Sequence, residues 1–337
     1  MPVLARGQAM RRRDFIKLIA GSTALWPLSA RAQKSGLPVI GFLSAEWPDL
    51  FADRLKAFHT GLGAVGYVER QNVSITYSWA EGRVDQLPAL AAELVRSQVN
   101  VLVALGSTPA ALAAKAATTT IPTVFYVGTD PVKIGLVASF SRPGGNITGV
   151  TTLNVQISAK RLELVHELLP KATVVAALVN PANSIVAETS ERDLLTGTRK
   201  LGMELHILRA STAPEINAAF ATLAQVKANA LLIDADALFI SHSKQLAALA
   251  AQHAVPAVHA ARDFVVAGGL MSYGNSPAES YRQAGVYAGR LLKGEKPGDL
   301  PVQQATKVSL AVNLKTAKTL GLNVPNTLIG RADEVIE

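Results

Sequence analysis

Phe140 to Asn154 reads FSRPGGNITGVTTLN. Pro143-Gly144-Gly145 stops whatever precedes it, because proline removes a backbone donor and glycine accepts turn conformations closed to other residues. Ile147 to Thr151 then carries a short β-type run onward. Working outward, four apolar runs of strand length lie on the N-terminal side: Val39–Leu43, Val73–Tyr77, Val101–Leu105 and Thr123–Tyr126. Four more lie on the C-terminal side: Val174–Val179, Leu205–Leu208, Leu231–Ile233 and Ala257–His259. Helix-length segments separate nearly all of them, which is the pattern of parallel α/β sheets. Two similar α/β halves meeting at a Gly-rich crossover predict a two-lobed chain with a cleft.

The 337 residues suffice for two domains with cores of their own. Hydrophobic residues make up 49% and charged residues 17%, a globular rather than a disordered composition. The net charge of +8 raises a nucleic-acid reading, but the position of the charge argues against it. Residues 1–32 hold Arg6, Arg11, Arg12, Arg13, Lys17 and Arg31 against Asp14, so +5 belongs to this leader and +3 to everything else. No nucleic acid is expected as a partner.

The leader itself carries the most specific signal. Arg12-Arg13-Asp14-Phe15-Ile16-Lys17 looks like a twin-arginine export motif, followed by the apolar stretch Leu18 to Leu28 and the small residues of Ala30-Arg31-Ala32. The stretch is shorter than the about 20 residues that span a bilayer. Cleavage near Ala32 and a soluble periplasmic chain follow as expectations. With no cysteine, neither a lipid-bearing thiol nor a disulfide is available.

Within the first half, Leu37–Ser44 reads as a central strand, and Trp47-Pro48-Asp49 opens a helix running to about Gly61. Gly61 to Gly66 matches G-x-G-x-x-G, but it ends a helix and precedes a strand. A dinucleotide site needs the reverse order, so helix-cap and turn glycines are the expectation. Val99–Leu105 leads into Gly106-Ser107-Thr108-Pro109, a strand, a tight turn with two hydroxyls and a Pro-opened helix. Unpaired N–H groups and partial positive charge at that helix N-terminus favour an anion, and a plain Ser/Thr cap is equally compatible. Val127-Gly128-Thr129-Asp130-Pro131 repeats the layout with an acid, which either caps a Pro131 helix or faces the cleft.

In the second half, Leu164, Val165 and Leu168 form a helical apolar stripe ended by Pro170. Thr173–Val179 delivers Asn180-Pro181-Ala182-Asn183, whose amides suit polar ligand groups or ordinary turn chemistry. Leu231–Ile233 delivers Asp234-Ala235-Asp236, again at a strand's end. Spacing does not decide which of Asp130, Asp234 and Asp236 faces the cleft. No pair among the six histidines has metal-ligand spacing, and neither a nucleophile elbow nor a P-loop is present. Catalytic, metal and cofactor sites are therefore not expected.

Several blocks resemble a known family. They are Ala80-Glu81-Gly82-Arg83 with Asp85 to Val95, Arg142 to Val150, Ala267 to Gly274, and Val312 to Leu322. Together they resemble the ABC-transporter substrate-binding proteins of the group that includes tryptophan- and tyrosine-type binders, over about residues 37–330. The resemblance is specific to the family and not to one ligand. It implies a type I periplasmic-binding fold, two Rossmann-like lobes with parallel sheets joined by three hinge crossovers. Gly268 to Asn275 looks like the return crossover and Lys307–Leu314 the third crossing. The expected division is 36–149 plus 275–306 for lobe 1 and 150–274 plus 307–337 for lobe 2.

The function implied is capture of a small solute, an amino acid or small carboxylate, and its delivery to an ABC permease in the inner membrane, with a monomer as the default. Candidate ligand contacts are Ser44, Trp47, Ser107, Thr108, Thr129, Asp130, Asn154, Asn180, Asn183, Asp234, Tyr273 and Asn275. For an amino acid, Ser107 and Thr108 would take the carboxylate, Asp130 or Asp234 the ammonium, and Trp47 or Tyr273 the side chain. Two rival classes are a ligand-sensing domain for a signalling partner and a periplasmic enzyme on a two-lobed scaffold.

Overall fold

Strands β1 (Val39–Ser44) and β3 (Val101–Leu105) show how the first sheet is buried on both faces. Successive side chains of a strand point to opposite faces. Accordingly Ile40, Phe42, Val101, Val103 and Leu105 enter one apolar cluster, while Leu43, Leu102 and Ala104 enter another. The computed structural model describes residues 36–337, and the export motif, apolar stretch and Ala30–Ala32 lie outside the described residues.

The first sheet also contains β2 (Ser74–Trp79), β4 (Thr123–Val127), β5 (Ile147–Thr151) and β11 (Gln303–Gln304), in the order β11-β5-β4-β3-β1-β2, with every pairing parallel. Helices α1 (Ala52–Ala64), α2 (Leu87–Arg96) and α3 (Thr108–Ala117) connect its strands. The second sheet has β6 (Val174–Val179), β7 (Glu204–Arg209), β8 (Ala230–Ile233), β9 (Ala257–His259), β10 (Met271–Asn275), β12 (Val308–Asn313) and β13 (Glu334–Ile336). Its order is β13-β12-β10-β9-β8-β6-β7, and β10 with β12 is the one antiparallel pair. Helices α4 (Ser158–Leu168), α5 (Ser184–Leu201), α6 (Ala213–Gln225), α7 (Ala237–Ser241), α8 (Ser243–Gln252) and α9 (Arg262–Val266) belong to this half.

Three crossovers join the sheets: after β5, after β10, and between β11 and β12. The second leads into α10 (Pro277–Leu292), which returns to the first sheet by packing on α1. Glycine makes that contact possible. A Cβ at Gly285 would stand 2.1 Å from the Phe58 carbonyl oxygen, and one at Gly61 would stand 1.8 Å from that of Arg282. Gly61 is thus a helix-packing residue inside α1, not the cap expected from the G-x-G-x-x-G reading.

Val101–Leu105, Ile147–Thr151, Val174–Val179 and Ala257–His259 are strands over the residues read from sequence. Two local expectations change. The helix expected from Trp47 is a 3-10 turn, Pro48–Phe51, followed by α1. The helix expected after Asp130 does not form: Pro131 to Gly135 are hydrogen-bonded turns, with Leu136 N donating to Pro131 O, and Gly135 at φ +71° turns the chain aside. Among the described residues no helix is long and apolar enough to cross a membrane.

Candidate functional site

In each sheet the chain adds a strand on one side and then crosses to the other, so the loops leaving two neighbouring strands diverge and open a crevice at their carboxyl ends. This switch point falls between β1 and β3 in the first sheet and between β6 and β8 in the second.

At the first switch point, β1 runs out into Ser44-Ala45-Glu46-Trp47. Glu46 is buried, and its Oε1 accepts from Arg54 Nη1 at 3.1 Å while its Oε2 accepts from the Tyr281 hydroxyl at 2.8 Å. The carboxyl lies against the end of β3, where a Cβ at Gly106 (φ +92°) would stand 2.5 Å from Glu46 Cδ. Burial pushes the Glu46 carboxyl up to about 7, opposed by Arg54 and Tyr281 and reinforced by the charge of Asp236 in the opposite lobe. Ser44 Oγ, fully buried, accepts from the Glu46 N–H at 3.2 Å. Ser107 Oγ caps α3 by accepting from Ala110 N at 3.3 Å, and the Thr108 and Thr129 hydroxyls bond each other at 3.1 Å. Asp130 Oδ1 accepts from the N–H groups of Val132 and Lys133, which makes it the cap of the turn that replaces the expected helix.

At the second switch point, Asn180 and Asn183 donate to the two carboxylate oxygens of Asp236, each at 2.8 Å, and Asp236 Oδ1 also accepts from Leu238 N to cap α7. Asp234 accepts from Ser190 Oγ at 2.7 Å and from Ala235 N at 2.8 Å. Burial pushes its carboxyl up to about 7. It borders an interior cavity of about 10 Å³ shared with Arg161, the size of a single water at most.

A third group ties the crossovers. Arg161, fully buried, donates from Nη2 to the Asn154 carbonyl and from Nε to the Tyr273 carbonyl, both at 2.8 Å. Asn154 Oδ1 accepts from Asn275 N at 3.1 Å. Asn275 Nδ2 donates to the carbonyls of Ala305 and Lys307. The Tyr273 ring packs against the second sheet's core.

Side chains also cross between the lobes. Trp47 packs against the apolar cluster of the second sheet, its ring edge-on to His242 with centroids 5.6 Å apart. Gly82 makes room for it, since a Cβ there would meet the Trp47 ring at 2.6 Å. Arg54 Nη2 lies 3.6 Å from Asp263 Oδ2, at the start of α9. Cavities of about 350 and 370 Å³ border this pair. Of the sequence-predicted site residues, Asn275 lines the first of them.

Glu46, Arg54, Arg161 and Asp263 were missed by sequence reasoning. The strand-end rule that selected Ser44 and Trp47 also reaches Glu46, which lies between them. Arg54 and Arg161 lie within helices and Asp263 follows a loop, with nothing local to distinguish them from solvated charges.

Two lobes of doubly wound α/β structure, each with its own switch point and joined by three crossovers, define a type I periplasmic-binding fold. Residues 44–336 match the model of the ABC transporter substrate binding protein family, and the chain belongs to that family. A tyrosine-binding protein of Clostridioides difficile (strain R20291) is 30% identical over 270 residues, which cover 79% of this chain and 76% of that one. The crystal structure of an ABC domain in complex with L-Trp from Streptococcus pneumonia is similar with a TM-score of 0.79 and 25% identity, covering 89% of this chain and 100% of that chain. A conserved domain protein from Vibrio cholerae gives 0.78 and 28%, with the same coverage.

Proposed function

We propose that this substrate-binding protein captures a free amino acid between its lobes in the periplasm and presents the closed form to an ABC permease. The observation that carries this reading is the contact between the lobes at the strand ends: Trp47 from one lobe seats against the core of the other, edge-on to His242, and Arg54 reaches to 3.6 Å from Asp263. Polar strand ends on both faces, with buried charges already hydrogen-bonded, form a crevice that orders its ligand at little reorganisation cost. The names of the tyrosine-binding relative and of the L-Trp complex support the amino-acid class. Export through the twin-arginine leader, cleavage near Ala32 and action as a monomer belong to the same proposal.

The Thr108–Thr129 bond and the Ser107 cap of α3 on one lobe, and the bonds of Asn180 and Asn183 to Asp236 on the other, hold the crevice walls in shape. Solute is released unchanged. The test is thermal unfolding of the purified protein with each standard amino acid at about 100 times the dissociation constant. A ligand selective for the folded form adds about 2.7 kcal/mol there. A saturable shift with the compound recovered intact supports the reading; no shift with any amino acid, or recovery of an altered compound, overturns it.

A further inference from the structure

We propose that Arg54 and Asp263 are the charge partners of the bound solute, and that the solute is an α-amino acid with an apolar side chain, an inference that rests on the amino-acid reading above. The Arg54–Asp263 separation of 3.6 Å is long beside the about 2.7–2.9 Å of a well-formed charge-assisted bond. Arg54 is held ready by other groups: Glu46 takes Nη1, and the Phe51 ring lies 4.0 Å beneath the guanidinium. Asp263 is the loose partner. Its side chain is 64% exposed and makes no side-chain hydrogen bond among the described residues. The neighbouring Arg262 is matched to Glu334 by two bonds of 2.5 and 2.6 Å.

Both cavities at the crevice share Arg54, Arg262 and Asp263 as wall residues, so the pair stands between two spaces that solute can enter. The 370 Å³ cavity has an apolar wall of Phe51, Ile240, Val266 and Ala267, and Val266 is 57% exposed. Exposed apolar surface in a concave wall is what a buried ligand side chain covers. A zwitterion presents a carboxylate and an ammonium next to each other on one carbon. Its carboxylate pairs with Arg54 and its ammonium with Asp263, replacing one long ion pair by two short ones while the lobes stay bridged. At this pair an anion alone would leave its carboxylate facing that of Asp263, and a cation alone would face Arg54. Asp49 and Lys244, which also line the 370 Å³ cavity, add one charge of each sign and leave that balance unchanged.

The test is calorimetric titration of the full chain with L-tryptophan, L-tyrosine and L-leucine and with their desamino and decarboxylated counterparts. The wild-type protein is expected to bind an amino acid at least about tenfold tighter than either counterpart. Asp263→Asn should weaken the amino acid by about tenfold to a hundredfold, leave the desamino acid unchanged or tighter, and so collapse the ratio between them. Val266→Asp, at a position 57% exposed, should weaken all three amino acids. If Asp263→Asn weakens amino acid and desamino acid by one common factor, the pair is a latch between lobes and the proposal falls. It also falls if that variant binds as the wild type does, and the amino-acid reading then stands. A wild-type protein that binds none of the three overturns the inference and withdraws support from that reading.

Discussion

Asn154 Oδ1 accepts the backbone N–H of Asn275 at 3.1 Å, joining the crossover after β5 to the end of β10 across 121 residues of sequence. Arg161 holds the same two segments through the carbonyls of Asn154 and Tyr273, and Asn275 passes the connection to Ala305 and Lys307 in the third crossover. All three interlobe connections are thus bonded to one another.

Asn275→Ala leaves the Ala305 and Lys307 carbonyls without these donors, at a cost of about 1–3 kcal/mol. The expected result is a lower unfolding temperature together with faster amide hydrogen exchange over residues 305–309. Unchanged exchange there would show that the crossovers are independent.

Trp47→Ala withdraws a first-lobe side chain from the second lobe's core. Small-angle scattering should show a larger radius of gyration for the ligand-free variant. Amino-acid affinity should fall about tenfold or more, as for a buried aromatic anchor at an interface. A variant as compact as the wild type and equally tight would remove Trp47 from the closure contact.

Glu46 makes stability depend on pH. Burial raises its carboxyl to about 7 in the fold, from an ordinary 4.5 in the unfolded chain, so between those values the folded chain holds a proton that the unfolded chain has released. Stability therefore falls as pH rises through this window and levels off above it, by a few kcal/mol at most. Glu46→Gln does not titrate. Urea unfolding at pH 5, 6, 7 and 8 should show the wild type losing stability relative to Glu46→Gln from pH 5 to 7, and a constant difference would contradict the assignment.

The α1–α10 contact predicts opposite signs for two alanines. Gly285→Ala drives a methyl to 2.1 Å from the Phe58 carbonyl and should destabilise by about 1–3 kcal/mol or more. Gly63→Ala, in the same helix pair with nothing within 4 Å of its Cβ, should stabilise by up to about 1 kcal/mol through helix propensity. Thermal unfolding of both separates close packing from a general intolerance of alanine.

Local pattern determined the alternation of strands and helices, the turn at Pro143-Gly144-Gly145 and the strand-end turns, because apolar periodicity and turn chemistry act over a few residues. It did not place the crossover: that turn joins β4 to β5 within the first sheet, and the chain crosses only after β5. The strands at 101–105 and 174–179 were legible for that reason. The strands Gln303–Gln304 and Glu334–Ile336 were not, since they are short edge pieces without an apolar run. Strand-end position also marked Asn180 and Ser107, but not what they touch. That Asn180 bonds Asp236, that Gly106 admits Glu46, and that Arg54 meets Asp263 were decided by tertiary structure. Each contact joins residues from different strands or lobes, and the desolvation that sets the Glu46 carboxyl exists only once the chain has folded around it, with Tyr281 arriving from 235 residues away.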